Sequence, residues 1–218
     1  ATVSDVTPGF YYWDGIWKKL DKSTASAGVS TDAWSLTGNT LTTGNEYLGT
    51  NNYNSLTFKV NNNAFGKFHP NGGVALGRGA ASHNDNSIAI GTNATATNSN
   101  EAVAIGNAAN GSGYQSFALG INATASNNET VALGRTAAAS GYRSISIGVG
   151  ATSSNNNALA LGNASVASGE QATALGTQAN SSGQNATAIG YQATATQANS
   201  IVLGSSSNAN NKIGIGTN

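Results

Sequence analysis

The feature that most constrains this chain is a glycine that recurs at a nearly fixed interval along its last two thirds. The sequence numbers of neighbouring glycines in this series differ by 14, except for Gly91 and Gly106, which differ by 15. The recurring glycines are Gly77, Gly91, Gly106, Gly120, Gly134, Gly148, Gly162, Gly176, Gly190 and Gly204. A short fixed period is typical of repeat proteins, in which one small unit stacks on its neighbours. The sequence therefore predicts about nine stacked copies of one unit.

The end of each unit has the alternation of a β-strand. When the preceding glycine is counted as zero, position 13 is always Ile or Leu and position 11 is mostly apolar, as in Leu133 and Val131. The exceptions at position 11 are Thr173 and Thr187. Position 12, between the two apolar positions, is Ala, Ser or Val. Apolar residues two apart indicate a strand. Because a unit of this length is too short for a useful helix and its connections, we predict two short strands in each unit.

The start of each unit carries small residues at positions 3 and 5, as in Ala123 and Ala125. They predict a second strand with little side-chain bulk on one face. We expect this face to pack against the Ile and Leu side chains of position 13, so that the two sheets approach closely. The expected core is a slender row of Ile and Leu inside a thin coil.

The turns are predicted from a second periodic position. Position 7 is Asn or Gly in eight of nine units, with Gln197 as the exception. Asn and Gly tolerate left-handed backbone angles at low cost, so we predict one turn there and another at the closing glycine. Two strands and two turns per unit describe a parallel β-solenoid, roughly 43 Å long at a strand spacing of about 4.8 Å. We expect the extra residue of the longer unit among Asn98–Glu101, in a bulged turn that leaves the strands in register.

Composition narrows the classes of function. The chain has no Cys, which excludes disulfides and thiolate metal sites. Its formal net charge is zero, so it lacks the basic surface of a nucleic-acid-binding protein. No apolar run is long enough to span a bilayer, and no secretory signal pattern stands at the start. We therefore expect no cofactor, no nucleic-acid partner and no direct membrane insertion by this segment.

The thin coil predicts self-association. A single coil buries little apolar area in return for the backbone entropy that it loses on folding. We expect the missing burial to come from further copies of the chain, packed through one flat face. Such packing would also protect strand edges.

The start of the chain differs from the repeats, because eleven of its 15 aromatic residues precede residue 70. The stretch 10–20 predicts a β-hairpin around Asp14 and Gly15, a pair that suits a type I′ turn. A second hairpin is predicted over residues 56–68, with the Asn run 61–63 as its turn.

These features predict a small aromatic-rich β module over residues 1–72 and a solenoid over residues 73–218. Two roles are open for the module. It caps the solenoid and prevents end-on aggregation, as terminal units must, or it is a ligand platform on which Trp13, Trp17 and Trp34 stack against sugar rings.

Candidate contact residues on the solenoid are few. Tyr114 and Tyr142 interrupt the polar surface at equivalent turn positions two units apart, and Arg143 stands beside the second tyrosine. They are candidate ligand contacts, and the alternative is that they pack against a turn of a neighbouring chain. The two histidines, His69 and His83, have no second ligand at metal spacing. Isolated carboxylates and serines without a His and Asp arrangement suggest no hydrolase, so we predict no metal site, no catalytic residue and no enzyme.

The repeat itself resembles a known family. The segment Asn86-Ser87-Ile88-Ala89-Ile90-Gly91-Thr92-Asn93-Ala94-Thr95-Ala96 is similar to the head repeat of trimeric autotransporter adhesins of the YadA type, whose pattern is Asn-Ser-x-Ala-Ile-Gly-x-x-Ala-x-Ala. Near copies recur in register from about Val74 to Gly204. The resemblance implies a left-handed parallel β-roll, a homotrimer, exposure at a bacterial surface and a role in adhesion. Because the heptad stalk and membrane anchor of that family are absent here, we expect one segment of a longer fibre.

The resemblance thus predicts a non-enzymatic, extracellular adhesin or fibre segment that attaches to host cells or surfaces through an unknown glycan or protein ligand. A phage tail fibre or receptor-binding spike is the alternative, because the stretches 12–17 and 47–51 resemble segments of large surface proteins and phage tail fibres, and 212–217 resembles the end of a fibre shaft. An ice-binding solenoid is an alternative of another class. It would need regular ranks of Thr, whereas position 4 is Thr in only some units, namely Thr95, Thr124, Thr152 and Thr194.

Overall fold

In the described part of the chain, every regular element is a β-strand. The computed structural model describes residues 10–13, 15–20, 48–82, 85–98 and 100–205. The chain divides into two compact units, 1–49 and 50–218. Trp34, His83 and residues 212–217, about which the sequence suggested roles, lie outside the described residues.

The first unit contains an antiparallel hairpin of β1 (Phe10–Trp13) and β2 (Trp17–Leu20). Trp13 pairs with Trp17, and the connection between them includes Gly15 at a left-handed φ of 70°. The first predicted hairpin is therefore confirmed.

The second unit contains two sheets built from short strands. The large sheet has twelve strands: β3 (Leu56–Val60), β4 (Asn63–Phe68), β5 (Val74–Leu76), β7 (Ile88–Ile90), β9 (Val103–Ile105), β11 (Phe117–Leu119), β13 (Val131–Leu133), β15 (Ile145–Ile147), β17 (Leu159–Leu161), β19 (Thr173–Leu175), β21 (Thr187–Ile189) and β23 (Ile201–Leu203). The small sheet has nine strands: β6 (Ala81–Ser82), β8 (Thr95–Ala96), β10 (Asn110–Gly111), β12 (Thr124–Ala125), β14 (Ala138–Ala139), β16 (Thr152–Ser153), β18 (Val166–Ala167), β20 (Asn180–Ser181) and β22 (Thr194–Ala195).

From β5 onward, consecutive strands alternate between the two sheets and every pair within a sheet is parallel, which is a β-solenoid. Pairing is in register with the repeat, so Leu119 stands opposite Leu133. The longer unit pairs with the unit before it. Ser82 pairs with Ala96 at the regular interval, but Ile88 pairs with Val103, which is one residue further along the chain than the regular repeat would place it. The extra residue is thus absorbed between Ala96 and Val103 without breaking the register, as expected.

The turns differ in detail from the prediction. The closing glycines do have left-handed φ, for example 133° at Gly134. At the other turn, however, the left-handed residues are at position 9, such as Glu129 and Arg143 with φ of 57°, and not at position 7. Where position 7 is glycine, the reason is steric, because a Cβ built on Gly113 would collide with the Asn127 carbonyl oxygen of the next coil. The expectation of a left-handed Asn or Gly at position 7 was therefore wrong.

The core is also not the one that the alternation suggested. The interior consists of positions 3, 5, 10 and 12, which are Ala or Ser in almost every coil, and Ala118, Ala123 and Ala125 are completely buried. Leu119, at position 13, is 41% exposed on the opposite side of the strand. The physical reason is the narrow gap between the sheets. The side-chain oxygens of Ser146 and Ser153 meet across it at 2.7 Å, which leaves no room for Ile or Leu.

The β3–β4 hairpin extends the large sheet. Its turn residues Asn61 and Asn62 have left-handed φ of 46° and 59°, and β4 pairs antiparallel with β5. The second predicted hairpin is thus confirmed to within one residue. The compact units divide between Gly49 and Thr50, and β4 and β5 belong to one sheet. The division into a module over residues 1–72 and a solenoid over residues 73–218 stays a prediction.

Candidate functional site

The most prominent surface feature is the outward side of the large sheet, called here the outer apolar face. Since β-strand side chains alternate, positions 11 and 13 project outward when position 12 projects inward. The position-13 row is Leu76, Ile90, Ile105, Leu119, Leu133, Ile147, Leu161, Leu175, Ile189 and Leu203. The position-11 row is Val74, Ile88, Val103, Phe117, Val131, Ile145, Leu159, Thr173, Thr187 and Ile201.

The outer apolar face is open to solvent in the single chain. In the position-13 row, Ile90 is 36% exposed and Leu161 37%. Position 11 is mostly half-buried between its neighbours, although Ile201, in the last described strand, is 72% exposed. The outward side of the small sheet is different, because position 4 presents mainly small or polar residues such as Thr124, Ala138 and Asn180. A contiguous apolar surface on only one side of a protein typically marks an interaction site.

The described residues show few features of a catalytic or metal-binding site. They contain no group of three or more His, Cys, Asp or Glu side chains that could hold a metal ion. They also include no helix that is long and apolar enough to cross a membrane. One open cleft of about 280 Å³ is lined by Thr50, Asn52, Asn54, Leu56, Phe68, His69 and Pro70.

A second candidate site is a charged and aromatic cluster on the turn edge. Arg143 Nε donates to Glu129 Oε2 at 2.8 Å, and the guanidinium carbon lies 4.8 Å from the centre of the Tyr142 ring. The Tyr142 hydroxyl donates to Glu129 Oε1 at 3.1 Å. Stacking of coils produces this geometry, because position 9 of one coil lies beside position 9 of the next. The cluster holds Tyr142 and Arg143 in a defined orientation at the surface.

The electrostatics of the cluster follow from these bonds. The hydrogen bond from Arg143 lowers the pKa of Glu129 below its usual value, and the Tyr142 hydroxyl acts in the same direction. The hydrogen bond to Glu129 raises the already high pKa of Arg143. The Arg143 side chain is 55% exposed and that of Glu129 36%, so solvent and salt screen their attraction.

Tyr114 occupies the position equivalent to Tyr142, two coils earlier, and is 41% exposed. The backbone amides of both tyrosines donate to an Asn side chain in the following coil, Asn128 and Asn156, each at 3.1 Å. The two turns are thus built alike, but the Glu129 carboxylate lies beside Tyr142 and not beside Tyr114 among the interactions of the described residues.

Of the aromatic residues predicted as a ligand platform, Trp13 is 63% exposed at the end of β1, opposite Trp17 in β2. A ligand role for Trp13, Trp17, Tyr114, Tyr142 and Arg143 stays a prediction. Glu129 was missed by sequence reasoning, although its spacing of one full repeat from Arg143 was a usable signal.

Comparison with known proteins identifies the repeat. A family model described as the YadA head domain repeat, two copies long, matches more than half of the chain. The chain belongs to this family. The matched stretches are residues 71–94, 82–109, 112–137, 139–165, 153–179, 167–191 and 181–207. The YadA-type resemblance of the sequence is thereby confirmed.

Two further comparisons complete this result. The solved collagen-binding domain of the Yersinia adhesin YadA is similar to this chain at 23% sequence identity, with a TM-score of 0.49. The similarity covers 67% of this chain and 76% of that one. No curated protein matches the sequence.

Proposed function

We propose that this chain is a non-enzymatic segment of a homotrimeric adhesive fibre, displayed outside a bacterial cell and used for attachment to host cells or surfaces. The observation that supports it is the outer apolar face, two rows of mostly large apolar side chains on the outside of a coil whose interior is almost entirely Ala and Ser.

Assembly would bury apolar surface that a single chain leaves exposed. An interior of methyl and hydroxymethyl groups removes little apolar surface from water, while the larger Val, Ile and Leu side chains remain at the surface. Packing the outer apolar faces of several copies around one axis would bury both rows along the whole solenoid. A closed ring of equivalent copies uses the same face of each chain, and membership in the YadA head family implies three copies and a left-handed coil.

The oligomeric state is the first test. We expect native mass spectrometry of the full chain to give three times the chain mass. The double substitution Leu119→Asp and Leu133→Asp should give monomers or misassembled chains, because it places charges in the position-13 row. Thr124→Asp with Thr152→Asp, on the outward side of the small sheet, is the matched control and should remain trimeric. A monomeric wild-type protein would refute the proposal.

Adhesion is then assigned to surfaces that the trimer leaves open. The turn edge with Tyr114, Tyr142 and Arg143 presents aromatic and cationic groups suited to a glycan or protein ligand. The trimer would be tested on arrayed glycans and immobilised matrix proteins, collagen among them. Tyr142→Ala with Arg143→Gln should weaken binding while leaving the mass unchanged. Equal binding by this variant would remove the turn edge from the proposal but leave the fibre.

The location at a bacterial surface is also proposed, with a phage tail fibre as its alternative. Immunogold labelling with antibodies against this chain distinguishes the two. Gold on intact producing cells supports a surface adhesin, and gold only on virions supports a tail fibre.

A further inference from the structure

We infer that the β3–β4 hairpin, which precedes the family repeats, continues the outer apolar face and contacts a second copy of this chain in the assembled fibre. The inference rests on the proposed trimer. It adds to that proposal a segment that the repeat pattern does not contain, since the first matched stretch begins at residue 71.

The pairing register extends the position-11 row onto the hairpin. Directly paired residues on neighbouring strands project from the same side of a sheet. Phe68 of β4 pairs with Val74 of β5, and Leu56 of β3 pairs with Phe68. Because Val74 belongs to the outer apolar face, Phe68 and Leu56 lie on that side too, and the row gains two large apolar side chains.

The position-13 row is extended in the same way. Gly66 pairs with Leu76, the first residue of the row, and Phe58 pairs with Gly66. A Cβ built on Gly66 would lie 3.3 Å from Leu76 Cδ2 and 3.4 Å from Phe58 Cδ2. Both side chains therefore flank the space above the glycine, and the apolar surface continues from the coils onto the hairpin.

The hairpin phenylalanines also contact each other. The rings of Phe58 and Phe68 are edge to face, with centres 5.8 Å apart and planes at 85°. This geometry is favourable for aromatic pairs and holds both rings in place. Even so, Phe58 is 40% exposed and Phe68 42%, so that an ordered aromatic surface faces solvent in the single chain.

Only one side of the hairpin is apolar at these positions. Lys67 pairs with Ala75, which points into the coil interior, so Lys67 and its partner Thr57 lie on the other side of the strands. Thr57 is exposed and Lys67 is partly exposed, as residues facing water should be. Among the paired positions, the exposed aromatic residues thus lie on the side that continues the coil rows, which indicates that this side is covered in the working protein. Phe65, 43% exposed, is outside these pairs, at the register shift between β3 and β4.

Because the hairpin continues the outer apolar face, the molecule that covers it is another copy of the chain. The extended rows contain no hydrogen-bonding side chains at Leu56, Phe58 or Phe68 with which to recognise a polar ligand. Copies related by rotation about the fibre axis place every residue at the same height as its equivalents. The hairpin of one chain therefore stands level with the hairpins of its neighbours, in line with coils that already meet.

Because the chain has no cysteine, single Cys variants can report this contact. We would compare Phe58→Cys with Thr57→Cys, its neighbour on the other side of the strand, and with Leu119→Cys in the coils. Each variant of the full chain would be treated with a short bis-maleimide cross-linker at low protein concentration. Phe68→Cys is the second hairpin variant, and circular dichroism checks that each variant is folded.

We expect most of the Phe58→Cys and Leu119→Cys chains to become covalent dimers, and few of the Thr57→Cys chains. If Leu119→Cys cross-links while both hairpin Phe→Cys variants do not, the hairpin inference is wrong and the trimer stands. If Leu119→Cys also fails, the proposed assembly itself is wrong. Equal cross-linking of Thr57→Cys and Phe58→Cys would equally overturn the inference, since the contact would then not be confined to the apolar side.

Discussion

At the scale of single residues, the solenoid depends on how closely one coil lies on the next. The backbone of each closing glycine lies so close to the next closing glycine that most of them leave no room for a Cβ. The interior positions accept only Ala, Ser or Thr in nearly every coil. Interiors packed this tightly respond strongly to a single added or removed atom group. Two kinds of substitution therefore test this close packing directly.

The first prediction concerns two glycines that look alike in the sequence. Gly134→Ala should destabilise the protein by about 1–3 kcal/mol or more, because φ is 133° and the new Cβ would lie 2.5 Å from the Gly148 carbonyl oxygen. Gly150→Asn should change stability by less than about 1 kcal/mol. Its φ is 68°, the nearest atom to a Cβ is Thr136 Oγ1 at 4.0 Å, and Asn122 has a left-handed φ at the equivalent position.

Thermal unfolding at one fixed chain concentration would measure both variants. Similar melting temperatures for the two would contradict the assigned role of the closing glycine. The concentration must be held constant because assembly contributes to the measured stability.

The second prediction concerns buried hydroxyl groups. Ser116 Oγ is buried without a hydrogen-bond partner among the described residues. Ser116→Ala should therefore stabilise the protein by about 1 kcal/mol, since Ala102 and Ala158 occupy the same position in other coils. Ser146→Ala is the control in the opposite direction. It removes hydrogen bonds to the Ala138 carbonyl and the Ser153 hydroxyl, both at 2.7 Å, and should cost about 1 kcal/mol.

Chemical denaturation of the two serine variants measures these changes. A destabilised Ser116→Ala protein would mean that the hydroxyl has a partner, such as a buried water molecule.

At the scale of elements, the surface residues of the turns differ from coil to coil in an otherwise uniform structure. Successive coils place position 9 side chains above one another, and they bond in pairs, as Gln115 Nε2 does with Glu101 Oε2 at 2.7 Å. The pair of Glu129 and Arg143 is the charged version of this contact. Differences between turns therefore help to distinguish one height of the solenoid from another.

The third prediction is the pH dependence of that pair. Arg143 lowers the pKa of Glu129, so the folded state favours the carboxylate. The stabilisation is present above the pKa of the unfolded chain and is lost as pH falls through the lower pKa of the folded state. Arg143→Gln should slightly lower the melting temperature at neutral pH, and the difference should shrink as pH falls below the ordinary pKa of Glu, about 4.3, and through the lower pKa of the folded state.

Melting curves of the wild type and Arg143→Gln across pH, at low and high salt, test this. Because the pair is exposed, high salt should reduce the neutral-pH difference. A difference that grows toward low pH would show that Arg143 acts through some other group.

At the scale of the whole molecule, the solenoid is one-dimensional, because strands contact only the coils next to them and the partner strand of the same coil. Repeat proteins of this kind tolerate loss of a whole repeat when the register is kept. Deleting residues 163–176 joins Gly162 to Thr177 with every later position in phase. We expect this variant to fold and assemble, with a lower melting temperature because the apolar rows are one coil shorter.

The control is deletion of residues 163–169, which removes half a coil and joins Gly162 to Glu170. This shorter deletion removes β18 and should disrupt folding, even though it removes fewer residues. Circular dichroism and native mass of both variants check the result. Equal stability of the two deletions would show that the coil is not the unit of folding.

The sequence by itself determined the architecture of the coils. The glycine period, the two-residue alternation of Val131 and Leu133 and the small residues such as Ala123 were sufficient to predict a parallel solenoid and the position of its extra residue. Both hairpins followed from turn residues such as Asn61. Local signals of this kind suffice because each strand pairs with the equivalent strand one repeat away.

What only the tertiary structure decided is which side of each strand is inside. Alternation shows that Val131 and Leu133 share one face and Ala132 the other, but it does not say which face is buried. In most proteins the larger apolar side chains are the buried ones. The expectation that they are buried here too was wrong. Two turns in every short coil hold the sheets so close that almost only Ala, Ser and Thr fit between them, so the large apolar residues lie outside. The same structure joined the β3–β4 hairpin to that outer face, a pairing between non-repeating segments that no period could reveal.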